Sequence, residues 1–153
     1  MEFSIKFDDR EIKKKIGSLQ EGLKSYKTPL EAVGKDLVDF YGQKVFKTQG
    51  KALGSPWKGL SSGTLLAREH KQGYYAKPPR EKGKILIWTG RLQDSFRKKA
   101  EKFKLTIDNK DPKFKKNQLG EGYSPKRPML GLTKEIITSI VEDLNTYIRK
   151  LIK

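Results

Sequence analysis

A serine flanked by glycines is the feature of this 153-residue sequence that most resembles a catalytic motif. Gly59-Leu60-Ser61-Ser62-Gly63 has the G-x-S-x-G spacing of a nucleophile elbow, in which a serine on a strand-to-helix turn attacks a carbonyl carbon. That chemistry needs a buried strand before the serine, and an acid and then a histidine after it. Here Ser55-Pro56 comes before the motif, and proline cannot lie in a central strand. The single histidine, His70, follows too early, so we predict that Ser61 caps a helical turn.

Other catalytic and metal-binding arrangements are excluded or disfavoured by composition. The sequence has no cysteine, which excludes disulfides, thiolate zinc sites and cysteine catalysis, and one histidine cannot build a multi-histidine centre. Asp8-Asp9 is placed to start a helix, where carboxylates favour the positive end of the dipole. Glycine-lysine pairs at 50–51 and 83–84 lack the upstream glycine of a phosphate-binding loop. We therefore predict no enzymatic activity, no cofactor and no metal.

The charge is strongly positive and unevenly distributed. Thirty-four Lys and Arg face 18 Asp and Glu, for a net charge of +16. Residues 71–116 hold 15 basic and five acidic residues, a net +10. Counterion release favours binding of such a stretch to phosphates, but lysine outnumbers arginine, the residue that forms bidentate contacts. A solvated surface, a nucleic acid and an acidic protein all stay open as explanations.

Hydrophobic periodicity predicts an α+β fold: a short antiparallel sheet packed by two N-terminal helices and a long C-terminal helix. Residues 2–7 alternate like a strand, and a first helix follows Asp8-Asp9 with an apolar stripe. A capping box, Thr28-Pro29-Leu30-Glu31, predicts the start of a second helix ending near Phe46. The first stripe consists of Ile12, Ile16, Leu19, Leu23 and Tyr26.

The second half is predicted to hold the sheet and the last helix. Residues 85–88 are a short apolar strand candidate, and residues 103–108 alternate like a strand whose hairpin partner begins at Phe114. Between them Thr89 caps a turn of helix. The last helix begins at Thr133 and carries a core-facing stripe. Its members are Ile137, Val141, Leu144, Ile148 and Leu151, widened by Ile136, Ile140 and Tyr147.

A long basic loop separates the two halves of what we predict to be a single domain over 1–153. Residues 47–83 are predicted to form a loop, apart from a helical turn or two at 64–70. Within this region, residues 67–84 are expected to be mobile and exposed. No apolar run reaches the length of a membrane span and the first residues lack a signal-peptide core, so a soluble, intracellular protein without membrane contact is expected.

Four short blocks, in order, resemble the phage virion morphogenesis family, a group of tail-completion proteins. The blocks are Phe46-Lys47-Thr48-Gln49-Gly50 with Pro56-Trp57-Lys58-Gly59-Leu60-Ser61 and Thr64-Leu65; Ile85-Leu86-Ile87-Trp88-Thr89-Gly90-Arg91-Leu92-Gln93-Asp94-Ser95-Phe96; Asn117-Gln118-Leu119-Gly120; and Pro125-Lys126-Arg127-Pro128-Met129-Leu130-Gly131-Leu132. The third block departs from the family's usual His-Gln-Phe-Gly, and Met129 stands where the family usually has phenylalanine.

The resemblance implies a structural protein of a tailed phage or prophage, found in the virion and in the host cytoplasm during assembly. Such a protein would act in tail completion or head–tail joining, as a homo-oligomeric ring in contact with other tail or connector proteins. The alternative, from the charge, is a nucleic-acid-binding module that uses residues 71–116 with Tyr74, Tyr75 and Trp88.

Nine residues are the candidate interface positions. Arg91 is expected to pair with a carboxylate, either internal or on a neighbouring subunit. Trp57 and Arg127 each have a structural alternative, as a core anchor and as a rigid lead into the last helix. The full set is Trp57, Tyr74, Tyr75, Lys77, Arg80, Lys82, Lys84, Arg91 and Arg127.

Overall fold

A computed structural model describes residues 10–71, 73–122 and 124–152. It confirms the α+β class, with five α-helices and one two-stranded antiparallel sheet in these ranges. The predicted strand at 2–7 and the Asp8-Asp9 cap lie outside the described residues. The elements are α1 (Arg10–Leu23), α2 (Lys27–Asp39), α3 (Ser62–Glu69), β1 (Phe96–Ala100), β2 (Leu105–Asn109), α4 (Lys113–Leu119) and α5 (Lys134–Ile152).

Helix α2 begins before the predicted capping box. Thr28 lies inside the helix, and the residue at the N-cap, Tyr26, makes no side-chain capping bond. The backbone N–H of Tyr26 instead donates to the carbonyl of Lys102 at 2.8 Å, which ties the helix start to the loop between the strands. The capping-box prediction was therefore wrong, because a long-range backbone contact fixes the helix start.

Helix α2 continues into a π-helical turn, Phe40–Val45, before it ends. This turn and the residue after it place Tyr41, Val45 and Phe46 in the core. The Tyr41 hydroxyl donates to the carbonyl of Gly131 at 2.8 Å, which links the helix to the segment before α5. Burial raises the pKa of this phenol, and the hydrogen bond to Gly131 opposes the shift.

The sheet is a hairpin of β1 and β2, in which Phe96 faces Asn109 and Ala100 faces Leu105. Strand β2 was predicted, but its partner was not. Residues 85–88 form no strand, and Leu86 has a φ of 62°, which breaks an extended backbone. Phe114, predicted to start the hairpin partner, lies in α4 instead.

Helix α2 packs directly on this hairpin. Gly34 is so close that a Cβ there would lie 2.8 Å from the Leu105 side chain, so only glycine fits without a shift. Glu31, on the same helix, pairs with Lys98 of β1, which lowers the pKa of the carboxyl group. The core side chains therefore pack against α2 and the hairpin.

The core combines side chains from distant parts of the chain. Phe46, Ile87 and Met129 are completely buried, and Phe46 makes edge-to-face contacts with both Trp57 and Phe96. The core cluster is Tyr41, Val45, Phe46, Trp57, Ile87, Leu92, Phe96, Met129 and Ile136. Met129 thus fills a core position where the family that the sequence resembles usually has phenylalanine.

Helices α1 and α5 pack against each other and leave much apolar surface exposed. Ile136 of α5 is buried, but Ile137 and Val141 are 48% and 50% exposed, so the predicted core-facing stripe holds only in part. Helix α1 buries none of its residues, and Ile12 and Ile16 are 47% and 49% exposed. In the ranges that the structure describes, no helix is long and apolar enough to cross a membrane.

Candidate functional site

A cleft of about 930 Å³ opens between α3, the turn Gly73–Ala76 and the loop before α5. It brings together four of the predicted interface residues, Tyr74, Tyr75, Arg91 and Arg127. Trp57, Lys77, Arg80, Lys82 and Lys84 do not line it. The cleft is therefore the candidate site, and it contains only part of the set expected from sequence.

One wall of the cleft is an arginine held against two aromatic rings. The guanidinium carbon of Arg68 lies 4.8 Å from the Trp88 ring centroid and 5.4 Å from that of Tyr75. Arg68 Nη1 donates to the carbonyl of Lys84 at 3.1 Å. Two buried donors in this wall, Arg68 Nε and Trp88 Nε1, have no hydrogen-bond acceptor among the residues that the structure describes. No sequence pattern identified Arg68, because its role depends on Tyr75 and Trp88 being brought to it by the fold.

A second arginine, Arg127, also lines the cleft and is only 6% exposed. Its Nε and Nη2 donate to the carbonyls of Lys58 and Gly59, both at 3.1 Å. Desolvation, and then the positive charge of Arg68, lower the pKa of this guanidinium. Arg127 therefore holds the 58–59 backbone in place, a contact that neither interpretation of this residue predicted.

The rim of the cleft contains an internal ion pair. Arg91 Nε lies 3.2 Å from Asp111 Oδ2, and the Asp111 side chain is 5% exposed. Asp111 Oδ1 also accepts the backbone N–H of Lys113 at 2.8 Å, at the start of α4. The sequence left open whether Arg91 pairs with an internal carboxylate or with one on a neighbouring subunit. The structure places an internal carboxylate, that of Asp111, beside it.

The predicted basic loop packs on the segment after it. The Tyr74 hydroxyl lies 3.1 Å from Thr89 Oγ1, and the backbone N–H of Arg80 donates to the carbonyl of Trp88 at 2.7 Å. Arg80 also pairs with Asp94. Lys77 and Lys82 are exposed. Helix α3 extends through Glu69, so the first residues of the predicted 67–84 loop are helical, and the mobility of the remainder stays a prediction.

Ser61 and His70 are the two residues that first suggested a hydrolase, and the structure places them in a helix cap and at an exposed helix end. Ser61 is the N-cap of α3, and its Oγ accepts the backbone N–H of Thr64 at 3.3 Å. His70 is exposed at the end of that helix. The predicted capping turn is confirmed, and these contacts do not form a catalytic triad.

A glutamine side chain holds the segment that leads to α5. Gln118 Oε1 accepts the backbone N–H groups of Met129 and Leu130, at 2.6 and 3.0 Å. Its Nε2 donates to the Leu130 carbonyl at 2.8 Å. Gln118 therefore pairs with this backbone as a neighbouring strand would, and it fixes Met129 in the core.

We expect Gln118→Ala to lower the free energy of unfolding by about 2 kcal/mol, because two part-buried N–H groups lose their acceptor. Gln118→Glu keeps that acceptor, and at acidic pH its protonated carboxyl group can also donate to the Leu130 carbonyl, so under that condition it should cost less. Urea denaturation followed by circular dichroism measures both values. Equal losses for the two variants would contradict the role of Oε1.

The model of the phage virion morphogenesis family matches residues 7–149, nearly the whole chain. The chain therefore belongs to the phage virion morphogenesis family, and its role lies in the structure or assembly of phage particles. No curated protein and no solved structure gives a significant match to it.

Proposed function

We propose that this protein is a non-enzymatic component of a tailed phage or prophage that acts in tail completion or head–tail joining. The proposal rests mainly on the match to the family model over residues 7–149. The serine motif supports it, since Ser61 is used as a helix cap rather than as a nucleophile. The site of action is the virion, with assembly in the host cytoplasm.

The protein acts through contacts between copies, in a ring at the end of the tail or at the connector. The exposed apolar side chains of α1 and α5 support this, because the two helices pack against each other and exposed apolar surface is a mark of protein interfaces. Ile12 and Ile16 on α1, and Ile137 and Val141 on α5, are each about half exposed. A ring formed by one repeated contact buries such surface on every copy.

The basic loop is the part of the surface that recognises the partner. Residues 71–116 carry a net +10, and Lys77 and Lys82 are exposed within the loop. Acidic surfaces on a tail or connector protein would complement this charge, which speeds encounter and disfavours wrong partners. A ring repeats the contact, so weak individual contacts add up to stable attachment.

A nucleic-acid-binding role for the same basic stretch is the second candidate, and the charge favours it. The aromatic residues give it less support, because cations of this chain already lie over all three rings: Arg68 over Trp88 and Tyr75, and Lys113 over Tyr74. Trp88 is only 8% exposed, whereas Tyr74 is 52% exposed. Protein contacts are therefore the better supported function.

Electron microscopy of induced lysates with and without the gene tests the proposal. Without the protein we expect full heads separated from tails, or tails of abnormal length, because the joining step fails. A plasmid copy of the wild-type gene should restore joined particles. Intact particles in the deletion lysate would contradict the role.

Charge reversal in the loop tests the recognition surface in the same assay. Lys77→Glu with Lys82→Glu should fail to restore infectious particles. The control, Lys35→Glu with Lys51→Glu, changes the net charge equally at exposed positions outside the loop, so it should restore them. Full restoration by the loop variant would show that the loop charge is not needed.

A further inference from the structure

We propose that the cleft between Arg68 and Arg127 binds an acidic, extended peptide segment of a partner protein through the carboxylates of that segment. This inference rests on the proposed assembly function and names the chemistry of the partner. It differs from the contact made by the exposed loop lysines, although Tyr74 and Tyr75 of the loop also line the cleft. Lys77 and Lys82 do not line it.

The first argument is uncompensated charge. Among the residues that the structure describes, no carboxylate lies within ion-pair distance of Arg68 or Arg127. Arg127 donates to neutral carbonyls, and the charge of Arg68 is among the causes that lower its pKa, so the two cations repel each other. A buried cation without a counter-charge is costly, and an anion placed between the two would relieve that cost.

The second argument is an excess of donors. Arg68 Nε and Trp88 Nε1 are buried in the cleft wall and have no acceptor among the described residues. Such groups are rare in native proteins, and each one calls for an explanation. Both are donors with less than 1 Å² of accessible surface, so a carboxylate reaches Arg68 Nε only when the Arg68 side chain shifts, and the bidentate pairing of guanidinium and carboxylate favours that shift.

The size of the cleft favours a peptide over a single small ion. Its volume of about 930 Å³ is near the upper end of the range for ligand pockets, which leaves room for several residues. Lys113 adds a third cation at the rim, with its Nζ 4.2 Å from the Tyr74 ring centroid. The cleft is therefore lined by Lys113 as well as by Arg68 and Arg127.

The chemistry favours carboxylates over a phosphodiester chain. Asp111 lines the cleft, and its carboxylate is already paired with Arg91, so a polyanion passing through would meet a negative group. Nucleic acid binding in clefts relies on stacked bases, and here Arg68 lies over the Trp88 and Tyr75 rings and Lys113 lies over the Tyr74 ring. An acidic peptide can place an uncharged backbone or side-chain group beside Asp111 and its carboxylates beside the arginines, whereas every unit of a phosphodiester chain is charged.

Fluorescence anisotropy with a fluorescein-labelled hexa-aspartate peptide, at about 0.15 M ionic strength, tests the proposal on the full chain. We expect saturable binding to the wild type. Arg68→Met should weaken it about tenfold or more, since a charge-assisted hydrogen bond is lost. Arg149→Met is the matched control, because it removes the same group from an exposed position on α5 and should change affinity less than about twofold.

A second pair of variants avoids the buried wall, in case Arg68→Met does not fold by circular dichroism. Lys113→Glu reverses a charge on the exposed rim and should weaken binding, whereas Lys110→Glu makes the same change at an exposed position that does not line the cleft. The proposal is overturned if the wild type shows no saturable binding, or if rim and control variants lose affinity equally. Displacement of the peptide by inorganic phosphate or an oligothymidine at the same concentration also overturns it.

The outcome is separable from the test of the proposed function. Peptide binding is measured on the isolated protein, whereas the assembly role is tested by particle morphology in lysates. If the deletion separates heads from tails but the peptide does not bind, the assembly role stands and the cleft proposal fails. If the peptide binds specifically but particles are intact, the cleft has an acidic partner outside tail completion.

Discussion

Trp57→Ala is expected to lower the free energy of unfolding by about 4 kcal/mol, the range for removing a buried large aromatic side chain. Trp57 is 7% exposed and makes an edge-to-face contact with Phe46 at 5.1 Å between ring centroids. Its Nε1–H donates to the carbonyl of Pro128 at 2.7 Å. The ring therefore also links the loop that contains Trp57 to the segment before α5. Urea denaturation followed by far-UV circular dichroism measures the loss.

Trp57→Phe separates the two contributions of this residue. Phenylalanine keeps much of the buried ring but cannot donate to Pro128, so the expected loss is about half that of alanine. A loss for Trp57→Phe equal to that for Trp57→Ala would mean that the hydrogen bond, rather than packing, holds the loop. A negligible loss for both would contradict the assignment of Trp57 to the core.

Gly50→Ala is expected to lower the free energy of unfolding by about 3 kcal/mol. Gly50 has a φ of 85°, in the left-handed region, and an added Cβ would lie 2.4 Å from both the Ser55 carbonyl oxygen and the Trp57 ring. The carbonyl oxygen belongs to the backbone, so the loop itself must move. Thermal and urea denaturation of the variant measure the change.

Gly54→Ala is the matched control for this prediction. Gly54 also has a positive φ, 69°, but an added Cβ there would meet nothing within 4 Å. It therefore carries only the conformational cost, about 1 kcal/mol. Equal losses at the two positions would show that the close approach of Trp57 and Ser55 to Gly50 does not matter for stability.

Helix periodicity predicted the long elements well, and long-range contacts explain the errors. The last helix begins as predicted, with Thr133 Oγ1 accepting the backbone N–H of Ile136. Strand β1 was missed because Arg97, Lys98 and Lys99 give it no alternation of apolar and polar residues. Its pairing with β2 overrides this weak local preference.

The apolar run at 85–88 was taken for a strand because burial alone gives the same signal. Ile87 and Trp88 are buried, but the chain turns at Leu86 and the segment packs as an irregular loop. Short apolar runs do not distinguish between these cases. The contact of Arg80 with the Trp88 carbonyl, which holds this loop, joins residues that no local pattern relates.

The candidate site could be predicted only in part. Tyr74, Tyr75, Arg91 and Arg127 were identified from aromatic and basic residue types and from the family blocks, and the fold places them in one cleft. Arg68 was missed, since nothing around it in the sequence shows that two rings will cover it. The exposed lysines of the loop were chosen for charge, and charge alone does not place residues in a cleft.

The order in which core residues occur along the chain has a consequence for synthesis on the ribosome. Phe46, Ile87 and Phe96 emerge from the exit tunnel well before Met129 and Ile136, which complete the same cluster. Until those two emerge, the nascent chain presents an open apolar surface to the cytosol and to chaperones. The core therefore cannot be completed until the segment through Ile136 has left the exit tunnel, and a ribosome stalled upstream of Met129 would hold a chain prone to aggregation.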